Sequence, residues 1–64
     1  MIKLVGKNSG RPLYVDPQRI EVIYPEASTG ITIVVVRNGT YLVEETSEEV
    51  RKLVESHGVT DFPV

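Results

Sequence analysis

Apolar positions along this chain recur first with a period of two, in several short runs, and then once with a helical period near the C-terminus. Such an order predicts a β-rich domain closed by one helix. Ile2-Lys3-Leu4-Val5 reads as a strand over 2–5, ended by the turn-forming run Gly6-Lys7-Asn8-Ser9-Gly10. Pro12-Leu13-Tyr14-Val15 is the second strand, over 12–15, with Pro12 at its start or on an edge because proline donates no ladder hydrogen bond. Asp16-Pro17-Gln18-Arg19 predicts a type I turn or one helical turn. The β-branched and aromatic run Ile20–Tyr24 is the third strand, over 20–24, and Pro25–Gly30 is the loop that stops it. Ile31–Arg37 is the strongest strand signal (31–37). The pair Asn38-Gly39 then predicts a two-residue type I′ hairpin into a fifth strand, Thr40–Glu44 (40–44).

That turn implies a register with Arg37 opposite Thr40, Val36 opposite Tyr41, Val35 opposite Leu42 and Val34 opposite Val43. One face of the hairpin then carries Ile31, Ile33, Val35 and Leu42, and the other carries Val34, Val36, Tyr41 and Val43. Both faces are apolar, whereas a sheet with one wetted face should alternate. Thr46 and Glu49 are spaced as a capping box, and Val50, Leu53, Val54 and His57 form one stripe, so a helix is expected over 48–57. Gly58 suits the left-handed position past its end, Val59 could fold back on the last turn, and 59–64 is a short tail ending in Phe62-Pro63-Val64. One helix covers one face. The second apolar face must meet either the rest of a curled sheet or another molecule.

Length sharpens that expectation: 64 residues make one domain with a thin core. Cysteine is absent and there is one histidine, so neither disulfides nor a closed zinc site can staple the fold, and self-association is the remaining remedy. A net charge of −2 disfavours nucleic acid as a partner. The most apolar stretch is far shorter than the ~20 residues that span a bilayer, and no signal-peptide pattern opens the chain, so membrane insertion is not expected and a cytoplasmic location is.

Candidate chemistry is sparse. His57 is the one side chain that titrates near neutral pH, and no oriented partner for it is evident in the sequence. Glu44, Glu45, Glu48 and Glu49 form an acidic run, but Glu44 and Glu45 point to opposite sides of a strand and Glu48 and Glu49 serve the helix N-terminus, so no metal site is expected and the run reads as solvated charge. No catalytic or cofactor-binding residue is assigned. Lys3, Lys7, Arg11 and Arg37 are the candidate nucleic-acid edge, with Arg19 near them and Tyr14 or Tyr24 available to stack on a base; the same residues also serve as charges that protect sheet edges from aggregation.

Taken in order, Met1-Ile2-Lys3-Leu4, Tyr14-Val15-Asp16-Pro17 with Ile20-Glu21, Asn38-Gly39 with Tyr41–Glu45, and Glu49-Val50 resemble the FlbD/SwrD family of small bacterial flagellar proteins over most of the chain. Asp16 stands where the family usually has Asn, the first hairpin is longer, the Pro25–Gly30 loop is expanded, and the segment after Asn38-Gly39 is one residue shorter. The resemblance implies a non-enzymatic accessory of flagellar motility and supplies no catalytic residues. A phage or mobile-element relative of unknown role fits the same departures.

The expected protein is therefore an α+β domain, a five-stranded antiparallel β-meander curled toward a small barrel, with one C-terminal amphipathic helix. Its expected role is non-catalytic protein–protein interaction, as a homo-oligomer that also binds a further protein. Val34, Val36, Tyr41 and Val43 are the candidate self-association surface, and the same four residues would be core if the sheet curls on itself. A small nucleic-acid-binding regulator is the alternative.

Overall fold

The structure, a computed structural model, describes residues 1–58. Strands β1 (Ile2–Val5), β2 (Pro12–Val15), β3 (Ile20–Pro25), β4 (Thr32–Val36) and β5 (Gly39–Val43) precede one helix, α1 (Ser47–Ser56). All neighbouring strands run antiparallel, as the alternating pattern requires. They do not form one continuous meander or a closed barrel. β1 and β2 make a two-stranded sheet, and β3, β4 and β5 make a three-stranded one.

The cause lies in the segment between β2 and β3. Asp16 accepts a hydrogen bond from the Gln18 amide on its Oδ1 at 3.0 Å, Pro17 is buried, and Pro17–Arg19 form a single 3₁₀ turn. That turn carries the chain from one sheet to the other instead of pairing β2 with β3. The sheets join at a different corner, where Gly6 bridges to Val43, the Lys7 amide donates to the Leu42 carbonyl at 2.8 Å, and the Glu44 amide donates to the Val5 carbonyl at 2.9 Å. A Cβ at Gly6 would come within 2.8 Å of Ser9 Oγ, so that side chain would have to shift to admit a larger residue. Beside the seam, Glu45 turns back and accepts the Val5 amide on both carboxylate oxygens, at 3.0 and 3.1 Å. A residue expected to be solvated charge instead satisfies a main-chain donor at the end of β1.

Ile20 and Ile23 are three apart, so a regular strand would place them on opposite faces. The ladder shifts between Ile20 and Val22, leaving Glu21 as the extra residue of a bulge, and both isoleucines turn inward. They meet Ile2, Leu4 and Val15 of the first sheet, Val34 and Val43 of the second, and Val50 and Val54 of α1. These nine side chains are the core. The helix is set by the predicted capping box: Glu49 N–H donates to Thr46 Oγ1 at 3.1 Å and Thr46 N–H to Glu49 Oε1 at 2.9 Å. Gly58 has φ +83°, the left-handed end expected of it. Val50 and Val54 are buried, while Leu53 stands at the margin and His57 is exposed. The expected folding-back of Val59 and the 59–64 tail lie outside the described residues.

The β4–β5 register departs from expectation. Val36 pairs with Gly39, Val34 with Tyr41 and Thr32 with Val43, so the two turn residues are Arg37 and Asn38 rather than Asn38 and Gly39. Neither has a positive φ, nor has Gly39, which excludes the type I′ geometry. Each β4 residue thus meets a partner two positions away from the expected one. A slip of two leaves every side chain on its original face, so hydrophobic patterning cannot discriminate between the two registers.

Candidate functional site

The four residues expected to form an assembly surface face inward. Val34 is fully buried and Val43 is 1% exposed, Val36 is half-buried against the edge of the core, and Tyr41 reaches solvent, at 39%. Val34 and Val43 are therefore core, the alternative given for these residues, and they cannot serve as a self-association surface. The reason is the placement of α1 and of the β1–β2 sheet, which both pack on this side of the three-stranded sheet.

Its opposite face is left open. Cross-strand pairing sets Val22 beside Val35 and Thr40, and Tyr24 beside Ile33 and Leu42. Val22, Ile33, Val35 and Leu42 are half-buried, Tyr24 is exposed, and Ile31 continues the row just before β4. This patch of three adjacent strands contains no charged side chain in its centre. The sequence showed both faces of the β4–β5 hairpin to be apolar; the contribution of β3 through Val22 and Tyr24 depended on the Glu21 bulge and was missed.

Basic residues are distributed differently from the expected edge. Lys7 lines a shallow depression with Thr29, Gly30 and Glu44, at the seam between the sheets. Arg11 lies beside the same turn, its carbonyl accepting from Gly6 N–H at 2.9 Å. Lys3 pairs across the β1–β2 ladder with Tyr14. Arg37 lies elsewhere, in a concavity of about 270 Å³ lined also by Tyr14, Asp16, Arg19, Asn38 and Tyr41. The structure thus separates Lys7 from Arg37 and brings Arg19, Tyr14 and Tyr41 to Arg37. Arg19 Nε stands 3.8 Å from Asp16 Oδ2, the one ion pair among the described residues.

His57 caps the helix end, with its amide donating to the Val54 carbonyl at 3.1 Å, and lines none of these depressions. No cluster of three potential metal-ligating side chains occurs among the described residues. No helix among them is long and apolar enough to cross a membrane.

Among the carboxylates, Glu26 has the strongest local environment. Its Oε1 accepts from Ser28 Oγ at 2.6 Å, Thr29 Oγ1 at 2.8 Å, and the amides of Ser28 and Thr29 at 3.1 and 2.8 Å. These bonds, the Ser28 hydroxyl first, lower its pKa from 4.5 to about 2. Because the folded value lies below the unfolded one, the stabilisation is complete above about pH 4.5 and is lost as pH falls toward 2. Glu26→Gln should therefore flatten part of the fall in melting temperature across that interval. Glu49, lowered by the Thr46 amide, keeps some slope. Parallel melting profiles for the variant and wild type would show that the Glu26 loop contributes nothing to acid sensitivity.

No family model, no curated protein and no solved structure matches this chain.

Proposed function

We propose that the chain is a non-catalytic protein-interaction module of the cytoplasm that self-associates through the open face of its three-stranded sheet. The observation that carries this reading is the patch of Val22, Tyr24, Ile33, Val35 and Leu42, which α1 leaves uncovered. A contiguous apolar face on three strands is costly to leave in water, and covering it gains ~25 cal/mol for each Å² removed. A second copy offers the same face and can meet it about a two-fold axis, sheet against sheet. The thin core supports the same reading, since a chain of this size without disulfide or metal gains from burying surface against a copy of itself. The FlbD/SwrD-like residues support an accessory role in flagellar motility, in which the assembled module contacts a further protein.

Light scattering across a dilution series tests the assembly, with Ile33→Glu beside wild type. Wild type should have the mass of a dimer or larger. The variant should be monomeric at the same concentrations and retain its β-sheet circular dichroism, because Ile33 lies outside the core. A wild-type protein that is monomeric even when concentrated would overturn the reading.

A further inference from the structure

The concavity around Arg37 is not absorbed by that role. It lies at the end of the molecule where the β4–β5 turn approaches the end of β2, away from the open apolar face. Arg37 has no carboxylate partner among the described residues, and Arg19 is held only by the 3.8 Å contact to Asp16, with its side chain 69% exposed. Two arginines against one acidic residue, Asp16, thus line one depression in a chain whose net charge is −2. Tyr14, 64% exposed, and Tyr41, 39% exposed, line the same depression. Exposed tyrosine rings beside guanidiniums form a surface suited to a ligand that is both anionic and planar: the cations take the anion, and a ring takes the plane by stacking.

We propose that this concavity binds a nucleoside phosphate, with Arg37 and Arg19 on the phosphate and Tyr14 against the base. Its volume of about 270 Å³ is near the lower end of the usual ~300–1,000 Å³ range and suits one nucleotide rather than a dinucleotide cofactor. Asn38 adds an amide able to donate and accept at the rim. Arg19, Arg37 and Asn38 also line an adjoining depression with Gln18 and Glu21, so a phosphate held between the arginines lies at the boundary of two recesses. A free nucleotide and one unit of a single strand share this chemistry, and they differ in whether the second recess is used.

Calorimetric titration of the full chain decides it, with adenosine monophosphate, adenosine, inorganic phosphate, a short single-stranded adenylate and a glutamate-rich peptide as probes. Adenosine monophosphate or the oligonucleotide should bind, and adenosine and phosphate alone should bind at least about tenfold more weakly. Arg37→Gln and Tyr14→Ser should each weaken binding roughly fivefold or more, with salt weakening it further. Lys7→Gln, in the separate depression, should not. Both altered side chains are exposed, and unchanged melting curves establish that the variants fold. Equal affinity per site for mononucleotide and oligonucleotide identifies a free nucleotide as the ligand; binding of the oligonucleotide alone identifies a strand. The proposal fails if neither nucleotide probe binds, if both variants bind as wild type does, or if the acidic peptide binds as tightly as the nucleotides.

Discussion

Val34→Asp should leave the chain unfolded at 25 °C, while Val35→Asp, one residue along the same strand, should fold. Val34 is fully buried at the centre of the three-stranded sheet, between Ile23 and Tyr41 on the neighbouring strands. Replacing it removes ~1.5–3 kcal/mol of side-chain burial. It also buries a carboxyl group without a partner, which costs ~1–3 kcal/mol more even when the group stays protonated. Together these are comparable to the whole ~3–5 kcal/mol that one small core supplies. Val35 is half-buried on the opposite face, where a carboxylate can reach water. Circular dichroism and urea titration of the two variants would check the contrast. A cooperative unfolding transition for Val34→Asp near that of wild type would mean that α1 and the first sheet do not cover this face.

Leu4→Ala should have a comparable effect from the other sheet. Leu4 is completely buried, pairs across the ladder with Leu13, and reaches the core shared with α1. Truncating a buried leucine costs ~2–5 kcal/mol, the spread depending on how far the site collapses into the cavity. In a domain this small that removes most of the stability, and the denaturation midpoint should fall close to zero denaturant. Leu53→Ala is the matched control on the helix: Leu53 is 37% exposed and should lose less than about 1 kcal/mol. If the two variants unfold at similar denaturant concentrations, the first sheet is not integral to the core.

Local signals in the sequence were read correctly where one interaction dominates. The Thr46–Glu49 capping box, the left-handed Gly58 and the turn at Asp16-Pro17 each depend on residues within a few positions of one another, and all are present. What failed depended on distant parts of the chain. Asn38-Gly39 favours a type I′ turn in isolation, yet β5 must also meet β1 at Gly6 and Val43, and the adopted register keeps the same inward face. The choice between the two apolar faces was equally undetermined, because Val34 and Val35 look alike in a sequence. Only the positions of α1 and the β1–β2 sheet make one core and the other surface. Glu45 was read as solvated for the same reason: its partner, the Val5 amide, is 40 residues away. The candidate site followed this rule too. Arg37 and Tyr14 were recognised by residue type, but their meeting with Arg19 and Tyr41 follows from the path of the 3₁₀ turn.

The seam at Gly6 and Val43 also sets the order in which the molecule can form. A two-stranded hairpin has little stability alone in water, so β1 and β2 cannot hold their shape until the later strands exist to receive Ile2, Leu4 and Val15. The helix, at ten residues, is likewise too short to persist without a sheet beneath it. Synthesis delivers the N-terminal hairpin first, yet its place in the structure is created last. During synthesis the first hairpin must therefore remain uncommitted until β5 exists to receive it.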